Sequence, residues 1–113
     1  FRDAQEGLRP LLRFIDELGT AQPQWRFYDR TVGRAALLLF ALIEARHVET
    51  LLLSDTARQA AAQHGVDVRG RSSTPVILRA DGGAMCPMEE LASGKAPGEF
   101  LEAFRERLGR RAH

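Results

Sequence analysis

Leu8, Leu11, Leu12, Ile15 and Leu18 recur at three- and four-residue spacing, with Arg9, Arg13, Asp16 and Glu17 between them. That period predicts an amphipathic helix that tolerates Pro10 in its first turn and stops near Gly19. After a loop over 20–24, Trp25-Arg26-Phe27-Tyr28 is aromatic and weakly alternating, and reads as a short strand. A second helix is expected over 29–45, with Asp29 or Thr31 as its N-cap. Its middle, 35–43, is apolar on every side, the mark of a central buried helix. Residues 48–53 predict a strand, and Ser54 or Asp55 a cap for a helix over 56–64 that Gly65 ends. A short edge strand is expected at 66–69, a loop at 70–74, and a strand at 76–79 that Pro75 opens. A turn at 81–83 leads into a helix starting by Cys86. After a loop over 93–97, Phe100, Leu101, Phe104 and Leu108 mark a last amphipathic helix with a basic end. Strands alternating with helices argue for an α/β sandwich around one sheet.

The 113 residues suffice for one domain over 1–113, with no internal repeat. A single cysteine excludes an intrachain disulfide and suits a reducing compartment, so a cytoplasmic location is expected. It also excludes the zinc sets built from several thiolates, and neither metal nor cofactor is expected. A net charge of +1 supplies no long-range field, so a nucleic-acid partner is not expected. The run 35–43 falls well short of the roughly 20 apolar residues that cross a bilayer, and residues 1–6 carry no secretory pattern. The chain opens on Phe1 rather than methionine, which points to trimming or a partial sequence.

Cys86-Pro87-Met88-Glu89 is the most informative stretch for chemistry. It reads as a helix start, because proline suits the first helical position. Glu89, three residues after Cys86, has capping-box spacing. Free backbone N–H groups at such a start favour negative charge, and a thiol there ionises more easily than one in a dry core. The competing reading is a small buried hydrophobe, and the acidic pair Glu89 and Glu90 opposes thiolate formation.

A second candidate, Asp29-Arg30-Thr31-Val32-Gly33-Arg34, follows a strand and opens a helix, the usual place for anions in α/β folds. Gly33 in a first turn costs about 1 kcal/mol of helix propensity, which a close approach there would justify. The plain alternative makes Asp29 a cap and Gly33 a relief of crowding. Arg79, near Asp81 and Cys86, is placed to hold an anion beside the thiol or to sit on the surface. His47-Val48-Glu49 matches half of a zinc deaminase signature, but the Pro-Cys-x-x-Cys half is missing.

Gly7-Leu8-Arg9-Pro10-Leu11-Leu12, the block from Asp29 to Leu38, and Met85-Cys86-Pro87-Met88-Glu89 together resemble a prokaryotic family, the domain of unknown function eighteen-ninety-three. The resemblance implies a cytidine deaminase-like three-layer sandwich, with a mixed sheet and helices on both faces. Family members begin with a β-hairpin, so the first strands are expected to be truncated or absent here. Asp29, Gly33, Cys86, Pro87, Met88 and Glu89 match the family blocks, and Arg34 replaces the usual lysine. That change keeps the charge but not the pKa behaviour, so a mechanism needing a deprotonated lysine is excluded.

Three functions are carried forward. The first is a zinc-free deaminase-like domain binding a small anionic or nucleotide-like ligand at Gly33, Arg34, Arg79 and Glu89. The second is a thiol enzyme with Cys86 as nucleophile and Asp29 orienting the substrate or moving a proton. The third is a homo-oligomeric scaffold that packs its apolar helix and aromatic strand against a partner.

Overall fold

Each of the first two strands of the sheet hands the chain to a helix that carries it back to start the next strand in the same direction. The computed structural model describes residues 8, 11–13, 15–17, 26–77 and 87–111. The order is β1 (Arg26–Val32), α1 (Arg34–Leu42), β2 (His47–Ser54), α2 (Asp55–His64), β3 (Asp67–Thr74), α3 (Pro87–Ala92) and α4 (Pro97–Arg111). The described residues of 8–17 are helical. The strands lie in the order β1-β2-β3, all parallel. Tyr28 pairs with Glu49 and Glu49 with Arg69; Arg26 pairs with His47 and His47 with Asp67.

Right-handed crossovers between successive neighbours put both connecting helices on one face of a sheet. Accordingly α1 and α2 pack on each other, and α3 and α4 pack on α1. The family resemblance implies a mixed sheet with helices on both faces. Among the described residues the sheet is wholly parallel and its helices lie on one side.

Helix α1 buries Ala35, Ala36, Leu37, Leu38, Leu39 and Phe40 in succession. Six residues at about 100° each cover the whole circumference, so α1 needs the sheet on one side and helices on the other. Phe40 meets Phe27 of β1 with ring centroids 5.3 Å apart. Behind α1, Phe100 and Phe104 stack one turn apart on α4, both fully buried. The N-terminal helical residues join the same core through Leu8 and Leu12, and Asp16 pairs with Arg105 of α4. In α2, Ala57, Ala60 and Ala61 form a small-residue stripe against α1.

Local signals set the ends of α2 as expected. Ser54 Oγ accepts the Ala57 N–H at 3.0 Å, and Gly65 closes the helix at φ 71°. Helix α1 instead ends in a Schellman turn, with Ala45 N–H donating to Phe40 O and Glu44 N–H to Ala41 O. Glu44 therefore adopts φ 60°, a conformation that glycine usually takes.

Several boundaries differ from the sequence expectation. Strand β1 runs on to Val32, because parallel pairing with β2 continues as far as Leu53. Asp29 is thus a strand residue, and the N-cap of α1 is Gly33. Strand β3 extends through the polar run to Thr74, which pairs with Ser54. Pro75 and Val76 form a bend instead of opening a strand, and residues 78–79 lie outside the described residues.

Candidate functional site

The two sequence blocks singled out above meet at the start of α1. Gly33 has no side chain to cap the helix, and the first turn of α1 carries no acidic residue. The missing acceptor comes from α3. Glu89 Oε1 accepts the Arg34 N–H at 2.9 Å, and Oε2 accepts the Ala35 N–H at 2.9 Å. A carboxylate at this position satisfies two orphan amides and complements the helix dipole. Both oxygens of Glu89 therefore serve another helix, where the sequence suggested a capping box within its own.

Arg34 returns the contact. Its Nε donates to Ala92 O at 3.1 Å and its Nη2 to Lys95 O at 3.0 Å, closing the C-terminal end of α3. Lys95 Nζ adds a bond to Leu91 O at 2.6 Å. Gly33 is required by the close approach. A Cβ there would collide with Glu89 Oε1, lying 2.6 Å from its Cδ and 2.7 Å from Ile77 Cγ1.

Glu89 is only 6% exposed. Burial pushes its carboxyl pKa up, against the amides of Ala35 and Arg34 and the Arg34 charge, which pull it down. Among the described residues, every buried side-chain nitrogen and oxygen has a partner. Both Glu89 oxygens are taken up by backbone amides within the cluster, so the start of α1 already holds its negative charge. A signal for it does exist in the sequence: a glycine cap with no acidic first turn needs an acceptor from elsewhere in the chain.

Of the other candidates, Asp29 is half-buried on β1, where it pairs with Thr50 and its Oδ1 accepts the Arg30 N–H at 2.8 Å. About 10 Å of strand separates it from Val32, so the structure does not bring Asp29 into the Gly33–Arg34–Glu89 cluster. Cys86 and Arg79 lie outside the described residues. Among the described residues no group of three or more His, Asp or Glu side chains is placed to hold a metal ion. No described helix is long and apolar enough to cross a membrane. An open cleft of about 570 Å³, bordered by Glu44, Arg46, His47, His64 and Asp67, lies where β2 and β3 begin. Ligands of α/β sheets bind at the opposite end, where strands finish.

A different surface stands out by its exposure. The sheet face away from α1 and α2 carries Arg26, Tyr28 and Arg30 on β1, Glu49 and Leu51 on β2, and Asp67, Arg69 and Arg71 on β3. All of these are exposed, Tyr28 at 63% and Leu51 at 39%. Wholly parallel sheets are ordinarily covered on both faces.

The comparisons with known proteins agree with the architecture. No curated protein matches the chain. The crystal structure of a DUF1893 family protein, TM1506 from Thermotoga maritima, superposes with a TM-score of 0.79 at 22% sequence identity. The match covers 89% of this chain and 69% of that one, and shows a shared fold. The family model described as a domain of unknown function, DUF1893, matches residues 1–108, and the chain belongs to that family.

Proposed function

We propose that the chain is a binding module for an anionic macromolecule, which it engages across the open sheet face. The observation that carries this reading is the bare face of a parallel sheet, on which four arginines surround Tyr28 and Leu51. The anionic chemistry expected of the ligand is kept, but its place moves. A small anion approaching the start of α1 would meet the Glu89 carboxylate, which already occupies the helix N-terminus.

A cytidine deaminase-like arrangement, with a mixed sheet and helices on both faces, is a rival reading of the whole fold, because a second helical layer would cover Arg26, Tyr28 and Arg30, which are exposed. The exposure of Tyr28 supports leaving room on this face for a partner. Cys86 as a nucleophile and the chain as a homo-oligomeric scaffold are the rival readings. A pH profile of Cys86 alkylation tests the first, with a midpoint well below about 8.5 in its favour. Sedimentation velocity with a Tyr28→Glu variant tests the second.

Titration with a heparin oligosaccharide, a generic polyanion, tests the main reading. Substituting Arg26 and Arg71 by alanine is expected to weaken binding severalfold, and substituting Arg58 and Arg107, on α2 and α4, to leave it unchanged. Equal losses from both pairs, or no binding at all, would refute it.

A further inference from the structure

We infer that the open face takes single-stranded nucleic acid, with a base stacked on Tyr28 and phosphates held by the flanking arginines. The inference rests on the polyanion reading above and adds the class of partner. Its basis is the pattern within the face. Alternate residues of a strand point the same way about 6.6 Å apart, so Tyr28 has Arg26 on one side and Arg30 on the other. A base lying on the Tyr28 ring would have an arginine near the phosphate on each side of it. Two strands away, Arg69 and Arg71 form a second basic column on β3. Among the described residues no ion pair engages Arg26, Arg30 or Arg71, while Arg69 Nε stands 3.7 Å from Asp67 Oδ2.

The alternatives fit this pattern less well. A second copy docked face to face would set two surfaces of net positive charge against each other, four arginines and two carboxylates on each. An acidic peptide or heparin would satisfy the arginines but make no use of an exposed aromatic ring. A duplex has its bases already stacked, so Tyr28 would find no free base face. Single strands offer phosphates and unstacked bases together, and open sheets with exposed aromatics are a common platform for them. Glu49, paired with Tyr28 across the strands, keeps phosphates off the centre of the face and is an acceptor for a base amino group.

Net charge alone does not weigh against this partner. A sum of +1 reports nothing about distribution. Four of the sixteen basic side chains lie on this face with two of the fifteen acidic ones, so the remainder of the chain is slightly acidic.

The test is fluorescence anisotropy with a labelled single strand of about 12 nucleotides, its matched duplex and a labelled polyglutamate. The single strand is expected to bind about tenfold tighter than either competitor, because only it can stack on Tyr28. Tyr28→Ala should weaken it roughly five- to a hundredfold, and Tyr28→Phe should retain it. Four phosphates neutralised predict a slope of log affinity against log salt of about −2.8, falling to about −1.4 when Arg26 and Arg30 are replaced by alanine. Unchanged circular dichroism and Tm would show that these exposed substitutions leave the fold intact. Equal affinity for all three probes, or no effect of Tyr28→Ala, would overturn the nucleic-acid inference while arginine-dependent heparin binding kept the polyanion reading. Failure of every probe, heparin included, would overturn both.

Discussion

Glu89 caps the first turn of the helix that begins with Arg34, and Arg34 caps the last turn of the helix that contains Glu89. Each side chain satisfies backbone groups on the other's helix, across 55 residues of sequence. Such reciprocal capping locks α3 against α1 and gives both family blocks a structural task. It also explains why Gly33 lies between them: the Glu89 carboxylate fills the space that a side chain would need.

Replacing Gly33 by alanine should destabilise the fold by about 2 kcal/mol, because the new methyl group forces Glu89 or Ile77 aside. Glu89→Ala leaves two amides without their acceptor and should cost about 3 kcal/mol. Since the two changes disrupt one contact, the double variant should fall short of their sum by about 1 kcal/mol or more. Urea denaturation of the four proteins measures the cycle. Additive losses would mean that Gly33 and Glu89 act separately.

The Glu89 carboxyl gives this contact a pH signature. Burial raises its folded pKa above the ordinary 4.5, so the folded chain holds this proton more tightly than the unfolded one. The stability contributed through this ionisation is therefore complete below pH 4.5 and declines as pH rises through the folded value. Glu89→Gln does not titrate. Its stability should gain on the wild type as pH rises from 4.5, on top of a constant loss from the amide group that faces a backbone N–H. A stability difference independent of pH would contradict the assignment.

At the other end of α1, Glu44 occupies the left-handed position of the Schellman turn. Glycine adopts that conformation without the steric cost of a Cβ. Glu44→Gly should therefore stabilise the protein by about 1 kcal/mol, whereas Glu44→Ala should not. Thermal denaturation of both variants distinguishes relief of backbone strain from removal of charge.

Features governed by neighbours in the chain were legible in the sequence. The all-round apolar run from Ala35 announced a buried helix, and Ser54 and Gly65 marked both ends of α2. Features governed by distant partners were not. Pairing with β2 prolongs β1 past Asp29 and carries β3 through Ser72 and Ser73. The acceptor for the start of α1 arrives from α3, so the local rule that favoured Asp29 as the cap had nothing to detect. The basic sheet face was equally hidden, since Arg69 comes level with Tyr28 only once three strands are in register.

The central claim is that this chain works through its open sheet face while the start of α1 stays closed. Amide NMR spectra recorded during titration with a short single-stranded oligonucleotide test it most directly. The account predicts shifts at Arg26, Tyr28, Arg30, Leu51, Arg69 and Arg71, with Arg34, Ala35 and Glu89 unmoved. Shifts gathered around Gly33, Arg34 and Glu89, or none anywhere, would contradict it.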